Sequence, residues 1–184
     1  TLKTISNITG DETMNWEALG AIAELLGAIG VIVTLLYLSR QISHNSKQLE
    51  GSSTIAVHNY QRTLTEEVAA NPSLWATVRK ANLDWVSLSE DERSLASLYF
   101  LKEAGFWEMS YRLHKQGALD PLVYQSKEQY YLVMFQSPGR RKWWDDESVV
   151  LADDFYQEMT EKLDAETTSA EDFATNHPYW VKNE

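Results

Sequence analysis

A chain of 184 residues with a formal net charge of −11 and no cysteine excludes three classes at once. It is not a disulfide scaffold, it has no thiolate metal site, and it is not a generic nucleic-acid binder, because a phosphate backbone repels a surface of its own sign. Seven tryptophans and nine tyrosines are many for this length, and they are expected to divide between a bilayer interface and a water-soluble core.

The first predicted element is the run ALGAIAELLGAIGVIVTLLYL, Ala18 to Leu38. About 20 apolar residues at about 1.5 Å rise per residue cross a hydrocarbon core. Its only charge is Glu24, and Trp16 and Tyr37 stand near its ends, where interfacial rings sit. A cleaved signal peptide fits poorly. The preceding flank carries Asp11, Glu12 and Glu17, the apolar stretch is long, and no A-x-A-like site follows. A buried helix of a soluble domain is the other rival, and so long a run with a single charge argues against it. Arg40 and Lys47 follow the run and Lys3 precedes it, so the positive-inside rule places the following domain in the cytoplasm. Met14 has the character of a natural start, which makes residues 1–13 upstream sequence, a processing product or a tag.

Within the run, Gly20, Ala23, Gly27, Gly30 and Thr34 recur at spacings of three and four and share one helix face. Small side chains let helix backbones approach in lipid, so this face is expected to pack on a second copy or on another membrane subunit. The plainer reading is chance alignment of residues common in membrane helices. Glu24 costs several kcal/mol inside a bilayer if it is ionised and unpaired. A hydrogen bond to a neighbouring helix is preferred over a wet ion path or a reach outward to headgroups.

Beyond the run, Ile42, Leu49, Ile55, Val57, Tyr60, Leu64 and Val68 mark an apolar helical face, with a kink or break expected at Gly51-Ser52-Ser53 and an end at Asn71-Pro72. A short helix is expected from Ser73 to about Val86. Ser89 and Glu92 have the spacing of a capping box, opening a helix to Gln116 that stops at Gly117. Leu95, Leu98, Met109 and Leu113 form one of its faces and Phe100, Trp107 and Tyr111 another, the pattern of a central helix apolar on two sides. Asp120-Pro121 opens the next helix, which is expected to break at Ser137-Pro138-Gly139. A last helix, about Asp153 to Asp164, carries Phe155, Met159 and Leu163. The closing aromatics Tyr179 and Trp180 suggest a docked tail. With no strand pattern and no internal repeat, the expected architecture is all-α. It comprises a tail over 1–17, a single N-terminal transmembrane helix over 18–38, a helical bundle-like soluble domain over 39–165 and a C-terminal tail over 166–184.

The segments MNWEALGAIAELLGAIGVIVTLLYLSRQI, GALDPLVYQSKEQYYLVMFQSPGRRKWWDD and LADDFYQEM resemble those of a large group of uncharacterised bacterial single-pass membrane proteins. The Ser-Pro-Gly-Arg turn with its paired tryptophans is the most distinctive part. The resemblance implies a protein of the bacterial inner membrane and carries no activity with it.

Chemistry is sparse. His44, His58, His114 and His177 form no H-E-x-x-H, and none has a Glu three residues before it, so no metal site is expected. No catalytic motif, phosphate loop or cofactor motif is present. Arg140, Arg141 and Lys142, beside Trp143 and Trp144, are the one tight basic cluster and a candidate contact for an anionic ligand or lipid headgroup. The plainer reading pairs them with Asp145, Asp146 and Glu147 while the tryptophans fill the core. The expected function is non-enzymatic: an anchored protein that acts by association with the bilayer and with itself or another membrane subunit. One alternative is a small ion-conducting oligomer with Glu24 facing the pore. Another is a tethered sensor or enzyme that binds an anion near Arg140 to Trp144.

Overall fold

The first helix of the computed structural model, α1, runs unbroken over Trp16–Ala70. The structure describes residues 16–147, 151–165 and 169–181, so Lys3, Met14 and nearly all of the expected tail over 1–17 lie outside the described residues. No break occurs at Gly51-Ser52-Ser53. Gly51 is unfavourable mid-helix by about 1 kcal/mol relative to Ala, but Ser53, Val57 and Leu64 are buried on the following turns, and packing of that face outweighs the local preference. The buried face is also narrower than the apolar pattern implied, because Ile42, Leu49 and Ile55 remain exposed.

The chain divides into two compact units between Asn45 and Ser46. In the first, every described residue is exposed, and the helix is long and apolar enough to cross a membrane. The second unit holds the rest of α1 and six further helices. These are α2 (Pro72–Leu83), α3 (Glu90–Lys115), α4 (Pro121–Phe135), α5 (Pro138–Glu147), α6 (Asp153–Ala165) and α7 (Ala170–Asn176), closed by a 3-10 turn over Pro178–Trp180. All regular structure among the described residues is helical.

Local chemistry sets most boundaries. Asn71 accepts the Leu74 amide at 3.3 Å and Pro72 supplies the first turn of α2. That helix stops at Leu83 and does not reach Val86, because the Asp84 carboxylate accepts the Ser87 amide at 3.1 Å and turns the chain, carrying Trp85 and Leu88 into the core. Ser89 and Glu92 close a capping box through Glu92 N–H to Ser89 Oγ at 3.2 Å and Ser89 N–H to Glu92 Oε2 at 2.8 Å. At the other end of α3, Gly117 has φ +66, and the Gly117 and Ala118 amides donate to the His114 and Leu113 carbonyls, the paired bonds of a left-handed helix stop. Asp120 caps α4 by accepting the Leu122 amide at 2.7 Å.

One expectation is corrected here, and the break expected at Ser137-Pro138-Gly139 is found. α3 buries one broad face: Phe100, Trp107 and Tyr111 are inside, whereas Leu95, Leu98 and Met109 are exposed, with Leu98 at 62%. Of the second apolar row only Leu113 packs against the core, and no described element covers Leu95, Leu98 and Met109. Ser137-Pro138-Gly139 is a junction between helices, with Pro138 opening α5 directly after α4. A Cβ on Gly139 would lie 1.6 Å from the Ala81 carbonyl oxygen, so this glycine permits the close approach of α2 and α5. Trp107 lies at the core centre, its ring 5.7 Å from Tyr131, 5.9 Å from Trp144 and 5.4 Å from Phe155. α6 directs Phe155, Met159 and Leu163 inward.

Candidate functional site

On the first unit, Gly20, Ala23, Glu24, Gly27, Gly30 and Thr34 are all exposed. A Cβ added at Gly20, Gly27 or Gly30 meets nothing within 4 Å. Thr34 satisfies its own hydroxyl by donating to the Gly30 carbonyl at 2.8 Å. The small-residue face is therefore uncovered by the described residues of its own chain.

The basic segment does not converge on one surface. Its helical register sends Arg140, Trp143 and Trp144 to the inner side of α5 and Arg141 and Lys142 to the outer side. The Arg140 side chain is fully buried. Its Nε donates to Asn82 Oδ1 at 2.7 Å, its Nη1 pairs with Glu103, and the guanidinium lies 4.5 Å from the Phe100 ring centroid and 5.5 Å from that of Phe135. Arg141 and Lys142 point outward to Asp145 and Asp146 at 3.0 and 2.8 Å, and Arg141 also reaches Asp164 at 2.8 Å. Trp143 and Trp144 are buried, with their indole N–H groups donating to Ser97 and Thr160, each at 2.8 Å. Arg141 and Lys142 thus find their partners one turn along α5, while Arg140 finds a carboxylate 37 residues away in sequence.

That carboxylate marks a site which the sequence reading missed. A cavity of about 370 Å³ lies within the second unit, between the end of α1 and helices α2, α3 and α4, with Trp180 of the 3-10 turn on its wall. Gln61, Leu64, Thr65 and Val68 of α1 form one side. Trp75, Tyr99, Tyr130 and Tyr131 supply aromatic surface, and Glu103 is the one carboxylic acid among the described residues of the lining. The Tyr111 and Tyr124 hydroxyls elsewhere in the domain donate to Glu158 and Glu128. Those of Tyr99, Tyr130 and Tyr131 make no hydrogen bond among the described residues. Burial pushes the Glu103 carboxyl above the usual carboxylate range, against the opposing pull of Arg140. Burial also raises the three tyrosine hydroxyls, and Glu103 raises each of them by more than Arg140 lowers it.

The cavity wall is tied to the core by a buried polar chain. Arg140 holds Glu103 on one side and Asn82 on the other, and Asn82 Nδ2 donates to the Trp180 carbonyl at 2.9 Å. Trp180 packs edge-on against Trp75 at 5.3 Å and Tyr130 at 6.1 Å. The sequence signal for this site was faint but real: Glu103 occupies the register of Phe100, Ala104 and Trp107 on the apolar face of α3, where an unpaired charge is costly.

The histidines are dispersed. His44 and His58 are exposed, His114 stacks on Tyr124 at 4.3 Å and His177 lies 4.9 Å from Phe173. No group of three potential metal ligands occurs among the described residues. Comparison of the chain with protein-family models, curated proteins and solved structures finds no match.

Proposed function

We propose that this is a single-pass protein of the bacterial inner membrane, anchored by residues 18–38, whose helices from Ser46 onward form a bundle-like domain on the cytoplasmic side. It acts by association through its membrane helix, with a second copy or with another membrane subunit. The observation that supports this reading is the bare small-residue face. Gly20, Gly27 and Gly30 sit in open space on a helix with no described residue of the chain against them. Three glycines inside a helix are unfavourable unless close backbone approach repays them, and in lipid that approach is made to another helix. Glu24 lies beside this face, where its carboxyl group can hydrogen-bond across the contact.

The test is the mass of the protein–detergent complex by light scattering for the wild type, Gly27→Leu and Glu24→Gln, after an alkaline carbonate wash has established membrane retention. The expected result is an assembly that Gly27→Leu dissociates and Glu24→Gln leaves intact, with Leu26→Ile, off the face, behaving as wild type. A monomeric wild type with no co-purifying subunit overturns the association reading. Recovery in the soluble fraction without detergent overturns the anchor.

A further inference from the structure

The cavity has the volume of a small-molecule site, is lined mainly by apolar and aromatic side chains, and carries a few polar groups. Its chemistry is one-sided. Among the described residues, its lining contains no lysine, arginine or histidine. Two cations stand behind the wall: the Arg79 guanidinium lies 5.6 Å from the Trp75 ring centroid, and Lys127 donates its ammonium to the Gln61 side chain. The rings of Trp75, Tyr99, Tyr130 and Tyr131 carry negative π density on their faces, which attracts cations and is indifferent or adverse to anions; one face of Tyr131 is taken by stacking on Trp107 at 5.7 Å. Arg140 balances Glu103 from behind, but it does not line the cavity. The net charge of −11 adds a field that draws cations toward the chain. We propose that this cavity binds a small organic cation, an amine or quaternary ammonium group, seated among Trp75, Tyr99, Tyr130 and Tyr131 with its charge toward Glu103 and with Trp180 completing the wall.

This inference stands apart from the membrane reading, since it concerns only the second unit. The test uses the full chain in a maltoside detergent at constant ionic strength, with tryptophan fluorescence and Tm as readouts. The probes are choline, its uncharged isostere 3,3-dimethylbutan-1-ol, and benzoate. The expected result is a saturable fluorescence change and a rise in Tm with choline, with the isostere binding roughly tenfold more weakly and benzoate not binding. Trp75→Leu keeps an apolar wall but removes a π face, and it is expected to weaken choline binding roughly tenfold. Glu103→Gln is expected to reduce the preference for choline over the isostere, leaving the part that the aromatic faces supply. If that variant does not fold, the Trp75→Leu result and the isostere comparison still decide. Equal binding of choline and the isostere, binding of benzoate alone, or no binding of any probe overturns the proposal.

Discussion

Asn82 and Trp180, 98 residues apart in sequence, are joined by a hydrogen bond of 2.9 Å from the Asn82 side chain to the Trp180 carbonyl, while the other end of the same amide accepts from Arg140. One fully buried side chain thereby fixes the C-terminal turn against the interior. Asn82→Ala leaves both the Arg140 Nε and the Trp180 carbonyl without a partner. The expected loss of stability is about 2–3 kcal/mol in urea unfolding. The segment after Ala165 should also become cleavable in limited proteolysis at protease levels that spare the wild type.

The Arg140–Glu103 pair is almost wholly buried, with only the edge of Glu103 reaching the cavity. Breaking one side strands a buried charge, so Arg140→Met and Glu103→Leu alone are each expected to cost about 3–5 kcal/mol. The double variant should recover most of that loss, because two apolar side chains fill the space without any charge to desolvate. Denaturant unfolding of the four members of the cycle measures this, and additive losses in the double variant would contradict a direct coupling.

Two glycines should respond in opposite directions. Gly139→Ala drives a methyl group into the Ala81 carbonyl, and is expected to destabilise by about 3 kcal/mol. Gly51→Ala adds a methyl group in open space on a continuous helix, and is expected to stabilise by about 0.5–1 kcal/mol. Thermal unfolding of the two variants separates close packing from helix propensity.

The capping box carries a pH signature. Lys80 and the Ser89 amide hold the Glu92 carboxyl below the usual carboxylate range. A depressed carboxyl contributes stability that is present above the unfolded value and is lost as pH falls through the folded one. The Tm difference between wild type and Glu92→Gln, which keeps the contact to Ser89 but loses the charge beside Lys80, should therefore be steady near neutral pH. It should shrink as the pH is lowered below about 4.5. A difference that is flat with pH would assign the stabilisation to the hydrogen bond alone.

The sequence by itself determined the helical class, the apolar N-terminal helix and those ends whose signals are local. Ser89 with Glu92, Gly117 and Asp120-Pro121 each act within one turn of chain, so their geometry follows from nearest neighbours. Tertiary structure decided what depends on distant partners. Gly51-Ser52-Ser53 stayed helical because Ser53 and Val57 found a surface to bury against, and Leu95 and Leu98 stayed outside because no described element covers them. The basic run Arg140-Arg141-Lys142 reads as one patch in one dimension. In three, Arg140 turned inward because a carboxylate from α3 and an amide from α2 met it there. The aromatic cavity was invisible for the same reason: its walls come from five segments, and no spacing along the chain records which side chains meet when those segments pack.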